Sequence, residues 1–367
     1  MKPTGIGVIG CGMISGIYLK NLTQVFHNTR VVACAALHPD RAQARAKEFN
    51  VPRACAVGEL LSDPDVELVL NLTVPHAHAS VSLSALDAGK HVYLEKPLAS
   101  CREEGKRVLE TAGREALRVG GAPDTFLGGG LQTCRKLIDD GAIGRPIAAT
   151  AFFANHGWEW GHPDPEFFYR PGGGPIFDMG PYYLTALIAL LGPVASVFGS
   201  TMSTFSERVI ASKPRTGQKI EVQVPTHVSG TLEFASGAVA TILMSFDVWG
   251  HHLPRIEIHG TEGSLSVPDP NKFGGPVMLL KENEKEWREV PLSFGYQENS
   301  RGIGVADMVD AIATSRPHRA SGELMYHVVD VAESLYDSSR NGKRQTVASS
   351  CPRPTPLAPD LAPGQIR

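Results

Sequence analysis

At 367 residues the chain exceeds what one hydrophobic core usually organises, so two domains are expected. With 42% hydrophobic residues, 20% charged residues and a net charge of -3, it has an ordinary globular balance and no cationic excess to draw nucleic acid or an anionic membrane. No apolar run reaches the roughly 18 residues of a membrane span, and six cysteines without a CxxC pair argue against a disulfide framework or a zinc site.

The start, "MKPTGIGVIG", runs into glycines rather than a cleavable apolar leader. Together with scattered thiols, expected to be reduced, at Cys11, Cys34, Cys55, Cys101, Cys134 and Cys351, this places the expectation in the cytoplasm. "GIGVIG", "RVVACAAL", "LVLNLTV" and "HVYLEK" then read as strands, apolar on both faces as central parallel strands are. Between them "GIYLKNLTQVF", "DRAQARAKEF" and "AHASVSLSALDAG" read as helices, giving βαβα winding with right-handed crossovers.

After residue 123 the pattern changes. A helix "GGGLQTCRKLIDDG", a strand "PIAATAFFA", an aromatic loop and a helix near Asp178 precede a run of strands. "HVSGTLEFASGAVATILMSF" and "RIEIHGTEGSLSV" each predict a hairpin, so the second sheet is expected to be large and mostly antiparallel. "DMVDAIATS" and "GELMYHVVDVAESLYDSSRNG" predict closing helices, and the Pro-rich end predicts an extended, arm-like tail. The expected organisation is a Rossmann domain over residues 1–123, a second α/β domain over 124–350 and a tail over 351–367.

The first chemical motif is "GVIGCGMIS". Gly10 and Gly12 follow a strand and open a helix, where absent side chains permit a tight turn and let backbone N–H groups, with Met13 and Ile14, approach a pyrophosphate. Ser15 occupies the third fingerprint position, one before Gly16. The acidic residue expected after the second strand is absent, and Ala36 occupies its place in "CAALHPDRA". Two readings stay open here: NAD with a relaxed ribose contact, or NADP with its 2′-phosphate held by His38 or Arg41.

The order of "GVIGCGMIS", "NLTVPHAHAS", "GKHVYLEKPLA", "GGGPIFDMGPYY" and "EIHGTEGSL" resembles the Gfo/Idh/MocA family of glucose-fructose oxidoreductases, inositol dehydrogenases and their relatives. The resemblance covers nearly the whole chain apart from the tail. It implies that the second domain binds substrate and makes oligomer contacts, that Glu95-Lys96-Pro97 closes the fourth strand and puts Lys96 beside a nicotinamide, that Thr73, Pro75, His78 and Glu95 line the cofactor, and that Asp178 and Tyr182 face the substrate. For His78 a solvent-facing histidine at a helix start is the competing reading. Asp178 and Tyr182 are four apart, so within one helix they share a face; an Asp cap with Tyr packed behind it is the structural alternative. Tyr182 stands where inositol-dehydrogenase-like members carry His and follows the glucose-fructose oxidoreductase branch.

Lys96, Asp178 and Tyr182 are therefore the expected catalytic set, with Tyr182 the preferred acid/base and Lys96 the alternative. "NHGWEWGHPDPEFFYRPGGG" gathers His156, Trp158, Trp160, His162 and Arg170, whose rings and polar tips suit a pyranose or cyclitol, or else support a loop. Asp124 in "GAPDTFLGGG" is a further pocket candidate beside its turn-forming reading. The expected activity is hydride transfer between NAD or NADP and a secondary hydroxyl or ketone of a sugar, polyol, cyclitol or sugar acid. The alternatives are an NAD-dependent glycosidase with transient oxidation and a cofactor-sensing regulator. The expected partners are a carbohydrate-like substrate and further copies of the chain, as homodimer or homotetramer.

Overall fold

In the computed structural model, which describes residues 2–366, the first segment builds a six-stranded parallel sheet. It runs β1 (Thr4–Ile9), α1 (Ser15–Gln24), β2 (Thr29–Ala35), α2 (Pro39–Glu48), β3 (Arg53–Ala54), α3 (Val57–Ser62), β4 (Leu68–Asn71), α4 (His78–Asp87), β5 (His91–Leu94), α5 (Arg102–Arg114) and β6 (Val119–Gly121). The strand order is β3-β2-β1-β4-β5-β6. That is the doubly wound order whose reversal between β1 and β4 opens a crevice at the strands' carboxyl ends. Every residue of β4, and of β2 apart from Arg30, is buried, as expected for strands covered by helices on both faces. Because the edge strand β3 precedes it, Glu95-Lys96-Pro97 follows the fifth strand in chain order, not the fourth.

The second segment runs α6 (Gly129–Asp139), β7 (Pro146–Ala154), α7 (Pro175–Asp178), α8 (Gly180–Leu191), β8 (Val194–Met202), β9 (Glu207–Val209), β10 (Lys219–Glu221), β11 (His227–Phe234), β12 (Val239–Ser245), β13 (Ile256–Gly260), β14 (Gly263–Val267), β15 (Val277–Lys281), β16 (Arg288–Val290), α9 (Ile303–Ala313), α10 (Gly322–Asn341) and β17 (Gln345–Thr346). Nine of these strands form one sheet in the order β16-β15-β14-β13-β7-β12-β11-β8-β17. It is mostly antiparallel, with β7 and β12 its parallel pair, and both expected hairpins, β11–β12 and β13–β14, are present. One face packs on helices while Phe198, Met202 and Val239 stay exposed on the strands of the other.

All twelve residues of α8 are buried, so this helix is enclosed on every side rather than amphipathic. The closing helices return to the first sheet: Gly120 bridges Ser321, and Arg102 at the start of α5 pairs with Asp330 and Asp337 of α10. The two sheets are consecutive in the chain, β1–β6 before β7–β17, and it is the closing helices that tie the second segment back to the first.

The tail is extended but not an arm. Cys351, Leu357 and Ile366 are buried, Leu357 N donates to Gln132 Oε1 at 2.8 Å, and Tyr296 Oη donates to Gln365 O at 2.6 Å. Prolines remove backbone donors that an extended chain must otherwise satisfy, so the segment straps along the body using the few N–H groups it keeps. No helix of the described residues is long and apolar enough to cross a membrane.

Candidate active site

A cleft of about 710 Å³ lies at the carboxyl ends of β1, β4 and β5 and is walled on its far side by the second segment. Its floor is the glycine turn after β1. Gly10 has φ +106°, and a Cβ there would lie 2.4 Å from Leu72 O; only glycine fits both conditions. At Gly12 a Cβ would meet nothing within 4 Å, because that position faces the cleft. The helix beyond, α1, has no side-chain cap and no acidic residue in its first turn, so its N–H groups and positive end are left for an anion. These features fit a dinucleotide pyrophosphate. Ser15 Oγ donates to Gly12 O at 2.7 Å and fixes the turn from below.

Of the residues proposed for the cofactor, Met13, Ile14, Thr73, Pro75, Glu95, Lys96 and Arg41 all line the cleft. His38 opens α2 as its exposed N-cap residue and is not among the lining side chains, so of the two candidate cations only Arg41 reaches the cleft. Arg45, which the sequence reading passed over, reaches from α2 to donate to Gly12 O at 3.3 Å; one helical turn after Arg41, it carries no motif of its own.

His78 corrects the solvent-facing alternative. It is buried, its Nδ1 2.6 Å from Pro97 O and its Nε2 3.0 Å from Thr73 O, and burial pushes its pKa down. The ring ties the turn after β4 to the turn after β5, and so sets Thr73 and Lys96 against each other without itself lining the cleft.

The catalytic candidates converge. Lys96 Nζ donates to Asp178 O at 2.7 Å and to Asp178 Oδ1 at 2.8 Å, and lies 5.2 Å from the centre of the Tyr182 ring. Burial alone pushes the ammonium down, but Asp178, Tyr182 and Glu95 together hold its pKa above the usual lysine value. For Tyr182 burial dominates and raises the phenol above its ordinary value; the positive charges of Lys96 and Arg301 pull it part of the way back. Glu95 is buried beneath them, accepting from Tyr18 Oη at 2.9 Å and from Lys96 N at 3.1 Å. Asp178 and Tyr182 do not share one helix as expected. Asp178 ends α7, Met179 breaks the run, and Tyr182 lies in the first turn of α8; the near-helical Met179 keeps both side chains on the cleft.

The aromatic segment divides. His162 lines the cleft together with Pro163, Asp164, Phe167 and Phe168. Trp158 instead donates its indole N–H to Asp178 Oδ2 at 2.9 Å. Trp160 is 69% exposed, His156 stacks on Trp249 with centroids 3.5 Å apart, and Arg170 is an exposed ion-pair partner of Glu166; none of these three is brought to the cleft. Asp124 is not brought there either. It is buried, its Oδ2 accepting from Gly302 N at 2.8 Å and Gly304 N at 3.1 Å, and burial raises its pKa to about 6. This caps the start of α9, because the first N–H groups of a buried helix need an acceptor.

Three residues near the site carry no signal in the sequence. Arg301 comes from the loop before α9, where Asn271 holds its guanidinium at 2.6 Å, and its charge bears on Tyr182. Pro214 and Arg215 come from the β9–β10 turn; Arg215 pairs with Asp164 and Glu166, so this wall carries little free positive charge.

A Rossmann crevice with an open glycine turn, whose own Lys96 meets Asp178 and Tyr182 from a second α/β domain, defines a nicotinamide-dependent oxidoreductase. Residues 4–121 match the oxidoreductase family with an NAD-binding Rossmann fold, and residues 131–266 match the Gfo/Idh/MocA C-terminal domain. The chain belongs to the Gfo/Idh/MocA oxidoreductases. It is 32% identical to dTDP-3,4-didehydro-2,6-dideoxy-alpha-D-glucose 3-reductase of Saccharopolyspora spinosa over 93% of this chain and 99% of that one. It is 27% identical to levoglucosan dehydrogenase of Pseudarthrobacter phenanthrenivorans, a match spanning 63% of each chain. A solved levoglucosan dehydrogenase in complex with NADH and L-sorbose has the same fold, with a TM-score of 0.81 at 22% identity over 95% of this chain and 100% of that one.

Proposed function

We propose that the protein oxidises a secondary hydroxyl, or reduces the corresponding ketone, of an uncharged sugar, anhydrosugar, polyol or cyclitol. The observation that carries this reading is the convergence of Lys96, Asp178 and Tyr182 on the cleft wall opposite the glycine turn. The bound nicotinamide supplies the hydride acceptor or donor. Lys96 has three N–H donors, two of them spent on Asp178, so the third is free for the reacting oxygen and stabilises charge developing there. Tyr182 exchanges the hydroxyl proton. Asp178 holds the lysine and takes a neighbouring hydroxyl.

The substrate class follows from the wall chemistry. Phe167, Phe168 and Pro163 offer apolar faces to sugar C–H bonds, while His162 and Asp164 offer polar edges. Arg215 is already neutralised by two carboxylates, which weighs against a phosphorylated or nucleotide-linked sugar even though one relative is named for such a substrate. Hydrolysis through transient oxidation and a catalytically silent sensor are the two competing readings; the intact Lys96–Asp178–Tyr182 set weighs against the sensor.

Six free cysteines suit a reducing cytoplasm. The exposed apolar residues Phe198, Met202 and Val239 on the large sheet support a homodimer or homotetramer through that face. Sedimentation giving a monomer near 39.4 kDa at micromolar concentration excludes it. A screen of neutral sugars, anhydrosugars, inositols and sugar acids with NAD and NADP, read by the near-ultraviolet absorbance of reduced nicotinamide, tests the activity. Turnover of a neutral ring polyol is the expected result; none with any substrate overturns it.

A further inference from the structure

We propose that Trp158 is a positioning residue, whose indole N–H locks the Asp178 carboxylate in the orientation that aims Lys96 at the substrate. The two Asp178 oxygens are divided between two donors: Oδ1 takes Lys96 Nζ at 2.8 Å and Oδ2 takes Trp158 Nε1 at 2.9 Å. One donor alone leaves a carboxylate free to turn about its Cβ–Cγ bond; one donor on each oxygen fixes its plane. Asp178 needs that constraint, because it sits on the last residue of a four-residue helix with a break at Met179 behind it.

The lock is itself held. The Trp158 ring stacks on Phe168 with centroids 5.8 Å apart and meets the edge of Phe246 at 6.5 Å. Its carbonyl accepts from Gly161 N and His162 N, both at 3.1 Å. The next residue, Glu159, is buried against Arg208 at 3.2 Å, and its carbonyl accepts from Ala211 N at 3.0 Å and Ser212 N at 2.9 Å. The β9–β10 hairpin therefore braces the aromatic turn from outside, and the turn braces Asp178. "GWEWG" looks symmetric in sequence, but one tryptophan is turned to the carboxylate while Trp160 is 69% exposed.

Trp158→Phe tests this, because it keeps an aromatic ring for the stack and deletes the N–H. Two readouts are taken. The first is the rate at which Lys96 is acylated by a small amine-reactive reagent, measured by peptide mass spectrometry on the protein without substrate. Severalfold faster labelling is expected once Asp178 is free to turn, with an unchanged thermal midpoint. This arm stands without any substrate, so it separates failure of the lock from failure of the hydride-transfer reading, on which only the second arm rests. In that arm kcat falls about tenfold or more with KM little changed, the size expected for one lost hydrogen bond to a charged group. Unchanged labelling overturns the proposal. So does a rise in KM with kcat intact, which returns Trp158 to a sugar-stacking role.

Discussion

Replacing Lys96 by alanine removes the charge on which the proposed chemistry turns. Its Nζ lies 2.7 and 2.8 Å from the two Asp178 acceptors, so the substrate-facing N–H is aimed before substrate arrives and needs no reorganisation in the transition state. Losing one such preorganised donor typically lowers kcat by 10²–10³, about 2.7–4 kcal/mol. Stability suffers less than when a fully buried pair is broken, roughly 3–5 kcal/mol, because the two side chains keep 15% and 11% of their exposure and Asp178 retains the Trp158 N–H. The fold therefore survives to be assayed. Steady-state kinetics on the best substrate of the screen, with cofactor affinity from nicotinamide fluorescence and a melt by circular dichroism, gives the three numbers required. The expected result is a hundredfold or greater loss of kcat with little change in cofactor affinity. A variant keeping more than about a tenth of wild-type kcat, a loss under roughly 1.4 kcal/mol, refutes the assignment of the oxygen-stabilising role to Lys96.

Three further outcomes follow from the same geometry. Burial holds the Tyr182 phenol above its ordinary value, so it stays protonated through neutral pH; ketone reduction is expected to be flat there while alcohol oxidation keeps rising into the alkaline range, and Tyr182→Phe should abolish that rise, as a pH profile of kcat in each direction will tell. Arg41→Ala should weaken NADPH about tenfold or more and leave NADH nearly unchanged, since Arg41 is the lining cation at the end where Ala36 replaces an acid; equal losses for both cofactors, by calorimetry, would exclude a 2′-phosphate role. Burial raises Asp124 from 3.8 to about 6, so between those pH values the unfolded chain has released a proton that the folded one keeps, and stability falls as pH rises through that window by roughly 3 kcal/mol. Asp124→Asn, which keeps an acceptor for Gly302 and Gly304, should flatten that part of the melting-temperature profile.

The sequence alone determined what depends on neighbours along the chain. Apolar runs at strand length, the Gly10–Gly12 turn between strand and helix, and the charged pair at the end of "HVYLEK" are local patterns, and the structure keeps each where it was read. Family likeness extended this to Asp178 and Tyr182, 82 residues beyond Lys96 at the first of them. Tertiary structure decided what depends on packing between distant segments. Asp124 looks like a pocket residue until α9 arrives with two unpaired N–H groups that need a buried acceptor. The two tryptophans of "GWEWG" are equivalent until the β9–β10 hairpin locks the turn and presents one of them to a carboxylate. Pro214 and Arg215 enter the cleft, and Arg301 brings its charge to bear on Tyr182, from loops without any motif. The division has one physical cause: backbone preference and hydrophobic periodicity act over a few residues and are written locally, whereas the partner of a buried polar group is whichever complementary group the fold carries to it across the chain.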